Sequence, residues 1–305
     1  MNTNNITNEK KIRKRRLPEW LRRPLPAGAS YNHVQKLLKE LRLNTVCRSA
    51  MCPNLGQCWS KGTATFMILG KYCTRNCKFC AVDKGLPEIP EPDEPQRVAI
   101  AAREMNLKHI VITSVTRDDL PDEGAGHFAS TISAIREQSP NASIEVLTPD
   151  FHNRTECLNT VCQASPTIFN HNLETVKELS PKIRPKADYQ RSLDVLKYVR
   201  LNFSDIYVKS GLMVGLGETD EQIRTALRDL SDAGCQIVTI GQYLAPSARH
   251  YPVHRFLHPK QFDELEHWAK ENCKFLACFA EPFVRSSYMA DDILNKILQE
   301  KDNLK

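Results

Sequence analysis

Apolar and polar residues change places along this chain with two different periods. Ala64–Leu69, His109–Val115 and Ser143–Leu147 are short, mostly aliphatic or β-branched runs of strand length. Thr167–Asn170, Ile206–Val214 and Ile237–Leu244 read the same way. Gln96–Met105, Gly126–Gln138, Arg154–Ala164, Tyr189–Leu201, Asp220–Ala233 and Lys260–Glu271 instead repeat their apolar positions at helical spacing. Strands that take turns with amphipathic helices predict βα units and a parallel sheet. About six units fit between Ala64 and Glu271, so the expected fold is α/β, a partial or full parallel (β/α) barrel. An open doubly wound sheet is the second choice, and in both the chemistry belongs to the loops that follow the strands. Residues 62–272 make up this core, with residues 1–61 and 273–305 as N- and C-terminal extensions.

The prolines of Asp83–Pro95 (Pro87, Pro90, Pro92, Pro95) break regular structure and predict a long acidic loop after the first unit. Apolar residues make up 41% of the chain, enough for a substantial core, yet no run approaches membrane-span length. The N-terminus is polar and then basic, without the apolar stretch of a secretory signal, which predicts a cytoplasmic address. Much of the net charge of +6 lies in Lys10–Arg16, with Arg22 and Arg23 close behind. This arm reads as a solvated tail or as a contact surface for an acidic partner. Trp20 is the aromatic residue near it, so no stacking platform for nucleic acid is evident.

In a reducing compartment, clustered cysteines point to metal or catalysis rather than to disulfides. Of the 11 cysteines, Cys47, Cys52 and Cys58 form one triplet, and Cys73, Cys77 and Cys80 a second. Structural zinc prefers four ligands in close pairs, and no histidine lies between Cys47 and Cys80, so zinc would need an unusual knot shared by all six thiolates. An iron–sulfur cubane fits a triplet more simply. Three thiolates hold three irons and leave the fourth open to a ligand.

The second triplet, with Phe79 before its last cysteine, resembles the signature of the radical S-adenosylmethionine superfamily. In that superfamily the open iron chelates S-adenosylmethionine, and an electron from the cluster cleaves it to a 5′-deoxyadenosyl radical. The upstream triplet narrows the resemblance to the lipoyl synthases. Pro18–Arg22, Cys73–Cys77, Val111–Val115, Arg117–Leu120, Glu145–Phe151, Asn170–Thr175, Lys209–Glu218 and Arg285–Tyr288 are similar to segments of that family. Lys71–Tyr72, Thr116 and Ala280–Pro282 depart from its pattern without removing a cysteine.

The resemblance implies two 4Fe-4S clusters. Cys73, Cys77 and Cys80 would hold the radical-generating one, and Cys47, Cys52 and Cys58 with Ser287 an auxiliary one that supplies sulfur. It also implies insertion of two sulfur atoms, at C6 and C8, into an octanoyl group carried on a lysine of a lipoyl carrier domain. Unactivated C–H bonds explain the radical cofactor, and no catalytic group beyond the cluster ligands is expected. Partners would be octanoylated carrier domains (the glycine cleavage H protein and dehydrogenase acyltransferase subunits), an electron donor and an iron–sulfur carrier, with neither membrane nor nucleic acid. Gly215, Gly217 and Glu218, after a strand and before a helix, are expected to turn backbone amides toward the adenosyl pocket. Arg117, Asp118 and Asp119 could reach cofactor or substrate from a loop at the active face. Cys157 and Cys162 would point about 140° apart on a helix, so they, Cys235, Cys273 and Cys278 read as buried small hydrophobes. The rival readings are a radical methylthiotransferase and, outside enzymes, a zinc-stabilised nucleic-acid-binding protein.

Overall fold

The computed structural model describes residues 17–22, 28–61 and 63–287. The basic arm Lys10–Arg16, Arg23 and Tyr288 lie outside the described residues. The strands are β1 (Asn44–Thr45), β2 (Thr65–Ile68), β3 (His109–Ser114), β4 (Ser143–Leu147), β5 (Ile168–Asn170), β6 (Tyr207–Val214), β7 (Ile237–Gln242) and β8 (Ala277–Glu281). They form one eight-stranded sheet in the order of the sequence. β1 runs antiparallel to β2, and every later pairing is parallel. The sheet ends at β1 and β8, so the barrel is partial.

Each parallel step needs a crossover, and helices supply it. Glu94–Glu104, Ala125–Gln138, Thr155–Gln163, Tyr189–Asn202, Asp220–Asp232 and Pro259–Asn272 follow β2 to β7 in turn. Asp220–Asp232 shows why these segments are helical. Thr219 and Gln222 close a capping box at its start, and Ile223, Ala226, Leu227 and Leu230 fall on one buried stripe. With helices outside and side chains filling the inside, every residue of β2 and β7 is buried.

The division expected at 272/273 falls after helix Pro259–Asn272 and so cuts the crossover from β7 to β8, which pair with each other. That edge strand falls in the wholly apolar run Phe275–Ala280, a strand-length signal that the expected division set aside. Helix Ala29–Glu40, which buries just Val34 and Leu38, carries a weaker one.

Inside the barrel Lys209 Nζ bonds both carboxylate oxygens of Glu145, at 3.0 and 2.9 Å, and both side chains are fully buried. Burial would raise the Glu145 pKa, but Lys209 outweighs it and holds the group at about 2. Its folded pKa lies below the ordinary 4.5, so the pair stabilises the fold above that pH and is lost as pH falls toward 2. Lys209→Met strands a buried carboxylate and is expected to cost roughly 3–5 kcal/mol, measured by anaerobic urea unfolding. A loss within about 0.5 kcal/mol would show that the barrel relaxes around the charge.

Candidate metal centre and cofactor cavity

A cavity of about 490 Å³ opens at the carboxyl ends of the strands. Thr113–Val115, Leu147–Asp150, His171 and Asn172, Gly211–Met213, Gly241 and Tyr243–Ala245 line it from the ends of β3 to β7. All six cysteines of the two triplets reach it, as do Arg285, Ser286 and Ser287 from the C-terminal segment. Two regions 240 positions apart in the sequence, Cys47 and Ser287, thus share one chamber with the barrel strands.

The loop bearing Cys73, Cys77 and Cys80 is anchored at its root by charge. Leu69 N donates to Glu94 (2.8 Å), whose carboxylate also meets His127 (2.7 Å), while Leu69 O accepts from Arg117 (3.2 Å). Arg117 therefore braces the loop and is itself paired with Asp119. Arg75 does the same further along. It forks onto Asp118 (2.8 and 3.0 Å) and reaches Asp150 (2.7 Å), joining the cysteine loop to those after β3 and β4. Burial alone would weaken the Arg75 charge, but the two carboxylates raise its pKa, and Asp150 is held well below the carboxylate range in return. Cys73 Sγ accepts backbone N–H groups of Arg75 and Thr116, both at 3.4 Å.

Burial pushes the Cys80 thiol up to about 12, the Cys58 thiol to about 12 and the Cys47 thiol to about 11. Within each triplet the thiols also raise one another, so each set is electrostatically close. Such groups stay protonated at neutral pH unless a metal takes the proton's place. Among the described residues, the group of potential ligands with donor atoms all within 4.8 Å of one another is Asp118, Glu123 and His152. Neither cysteine triplet is drawn together that tightly. Tetrahedral zinc with Zn–S bonds of about 2.3 Å would place sulfurs roughly 3.8 Å apart. A cubane that takes one thiolate per iron would accept donors farther apart than that.

Between the triplets lies a polar bridge that sequence reasoning did not find. Asn172 Nδ2 donates to Glu174 (3.1 Å) and to Ser286 Oγ (2.7 Å). Glu174 stands beside Cys77 and Cys80, and burial lifts its carboxyl pKa against the pull of Arg184. Arg285 is half-buried beside Cys52 and Glu174, and desolvation lowers its pKa. His171 is neutral, because burial and Arg184 bring it down to about 4. The C-terminal segment crosses β7 at Gly241, where a Cβ would strike the Val284 carbonyl. Asn54 Nδ2 fastens the same segment from the N-terminal side by donating to Phe283 O (2.7 Å).

The expectation for Gly215, Gly217 and Glu218 is corrected. Glu218 is buried and turns back, accepting from Gly215 N (2.6 Å) and Leu216 N (2.8 Å). The carboxylate thereby takes the place of any bound anion, and none of the three lines the cavity. The wall comes instead from Gly211, Leu212 and Met213, earlier in the same strand. Cys157, Cys162, Cys235 and Cys278 are buried in the core, as expected, and Cys273 is half-buried against it.

Comparison with known proteins places the chain more finely. Residues 67–230 match the model of the radical SAM superfamily, and residues 2–52 match that of the N-terminal domain of lipoyl synthase. Lipoyl synthase of Chlorobium limicola is 52% identical over 278 residues, 91% of this chain and 94% of the relative. That of Thermus thermophilus is 49% identical over 287 residues, 93% of this chain and 88% of the relative. Two solved structures share the fold at 13% identity. Methylornithine synthase gives a TM-score of 0.53 over 90% of this chain and 94% of that one. A maturase of the [FeFe]-hydrogenase gives 0.57 over 82% and 64%.

Proposed function

This chain belongs to the lipoyl synthase family of radical S-adenosylmethionine enzymes, and on that basis we propose how its residues divide the work. Its cofactors are two 4Fe-4S clusters and S-adenosylmethionine. Cys73, Cys77 and Cys80 hold the cluster that leaves an iron open, and Cys47, Cys52, Cys58 and Ser287 hold the auxiliary one. The six thiols and Ser287 all line the same cavity, which supports both donor sets. When bound, these groups supply a radical able to open unactivated C–H bonds and the sulfur that replaces the hydrogens.

The substrate we assign is an octanoyl chain on a lysine of a lipoyl carrier domain. Met67, Val115, Leu147, Leu212 and Met213 give the cavity an apolar wall suited to that chain, and they keep water from a reactive carbon. Glu174 and Asn172 would offer polar atoms to S-adenosylmethionine from a stretch of wall beside Leu212, to which Glu174 is bridged. Arg75 performs no chemistry; it fixes the cysteine loop against the barrel mouth. His171 is neutral and hydrogen-bonded at both ring nitrogens, to Thr148 O (2.9 Å) and Ser192 Oγ (3.1 Å), and serves as a wall.

No helix among the described residues is long and apolar enough to cross a membrane. We place the enzyme in the cytoplasm, where a reducing milieu keeps such thiols available for iron. The observation that carries the whole reading is the convergence of both triplets and Ser287 on one cavity.

Anaerobic purification tests it. The protein should be brown and carry about eight irons, as two cubanes require, with matching sulfide. With dithionite, S-adenosylmethionine and an octanoylated carrier domain it should form lipoyl product and consume two cofactor molecules per group. Stoichiometric zinc in place of iron would overturn the reading. Iron loading with methylthio transfer to RNA, and no lipoyl product, would assign it to the methylthiotransferases instead.

A further inference from the structure

The reaction consumes electrons, and they must enter from outside through the cluster held by Cys73, Cys77 and Cys80. The outer face of that cysteine loop is basic. Lys78 projects from it, and its backbone is tied on both sides, with Lys78 N donating to Ile183 O (2.8 Å) and Lys78 O accepting from Tyr251 N (2.9 Å). Those contacts bring Lys182 and Arg249 alongside, with Lys182 Nζ lying 5.3 Å from the centre of the Tyr251 ring. Lys84 and Lys186 complete the ring by donating to Cys80 O (3.4 Å) and Thr74 O (2.9 Å). All five cations are exposed. Among the described residues none of them lies within 4.0 Å of a carboxylate oxygen; of the exposed acids within four positions of them in sequence, Glu88 pairs with Lys71 and Asp188 caps the following helix, which leaves Asp83 and Glu178.

An apolar tip stands next to this collar. Leu86 is 91% and Ile89 89% exposed, the two most exposed large apolar side chains described. Their loop is not loose. Cys73 N donates to Asp83 O (2.9 Å) and Cys73 forms a parallel bridge with Lys84, so the segment lies along the cysteine strand. Tyr72 packs against Gly85, where a Cβ would sit 3.3 Å from its ring, and Lys71 pairs with Glu88 at 3.5 Å. Lys71 and Tyr72 are thus the staple that presents Leu86 and Ile89 over the cluster loop. The exposed acids Glu91 and Asp93 at the far end of the loop are neutralised by Arg97 and Arg42.

We propose that this face docks an acidic, low-potential one-electron carrier protein. A charged collar around a small apolar centre is the chemistry of a fast, transient complex: charge steers the encounter and the apolar tip seats it. In the complex the reduced carrier gives up one electron, the cluster held by Cys73, Cys77 and Cys80 gains it, and the carrier leaves one electron more oxidised. The bridge between Cys73 and Lys84 keeps the path from surface to cluster ligand short. The assignment rests on the ligand set proposed above.

Two double variants test it in the iron-loaded enzyme: Lys182→Glu with Arg249→Glu, and Leu86→Ser with Ile89→Ser. The probes are a flavodoxin and a small ferredoxin, both acidic, and the faster reductant of the wild type is used throughout. Calorimetry at low ionic strength should show about tenfold weaker binding of the oxidised carrier in each variant. The charge variant should also lose most of the salt dependence of binding, while the apolar variant keeps it. Cluster reduction, followed by the carrier's absorbance, should slow about as much. Dithionite-driven 5′-deoxyadenosine formation should stay at the wild-type rate in both. Unchanged carrier binding and reduction would overturn the proposal. Equal losses with dithionite and carrier would make the face structural. A raised KM for octanoylated carrier domain under dithionite, with carrier-driven reduction intact, would give the face to the substrate protein. Failure of the wild type to form 5′-deoxyadenosine with dithionite would count against the ligand set alone.

Discussion

Replacement of Cys73, Cys77 or Cys80 by Ala abolishes 5′-deoxyadenosine formation under strong reducing conditions, and iron falls from about eight to about four per chain. The geometry explains why no partial activity should survive. The loop carrying these residues is fixed at Leu69 by Glu94 and Arg117 and at Arg75 by Asp118 and Asp150. A neighbouring side chain cannot swing in to replace a lost thiolate without breaking those buried ion pairs, each costing several kcal/mol. The retained iron matters as much as the lost activity, because Cys47, Cys52 and Cys58 reach the cavity from a separate segment of chain, the short helices before β2 and the turn between them. Normal cleavage in any of the three variants, measured by chromatography of the nucleoside, would remove the assignment.

The second large effect concerns Ser287. Ser287→Ala should leave the cleavage of S-adenosylmethionine within about twofold of wild type, yet reduce lipoyl product to background. A serine oxygen is a hard ligand beside soft sulfur, so it holds iron less firmly than a fourth thiolate would. That suits a site meant to give up its sulfur. Ser286→Ala separates the two neighbours. Ser286 Oγ accepts the Asn172 amide at 2.7 Å, so its loss loosens the segment without removing a ligand, and product should fall only severalfold. Wild-type product from Ser287→Ala would sink the idea, and the reverse pattern would move the role to Ser286.

Much of this was legible in the sequence, for identifiable reasons. β2 to β7 are compact apolar runs between turn residues, and each was found within a few positions of its ends. The cysteine triplets announced themselves by spacing. What escaped has no local signature. Arg75 meets Asp150 across 75 positions, Asn172 meets Ser286 across 114, and Asn54 meets Phe283 O across 229. Periodicity and motifs describe neighbours in sequence, whereas these contacts exist only once the barrel has bent the chain. Gly215–Glu218 failed in the opposite direction. Its local pattern suits an anion, but the carboxylate that satisfies its amides is three positions away. Charge inside a strand, as with Glu145 and Lys209, was the one available hint of a buried network.

The mixed origin of the cavity wall sets an order for the birth of the enzyme. The proposed radical triplet is complete within eight consecutive residues, Cys73 to Cys80, and the carboxylates that Arg75 pairs with are in place by Asp150, while the ties from Lys78 to Ile183 and Tyr251 follow. The other proposed donor set opens at Cys47 but waits for Ser287, 240 positions later, and for the crossing over Gly241 that brings it in. Domains fold as they emerge, and contacts distant in sequence close late. A ribosome stalled before Ser287 would therefore hold a chain with the cysteines of one proposed site already in place and the other set still one donor short, so the sulfur reserve would be the later of the two to come into being.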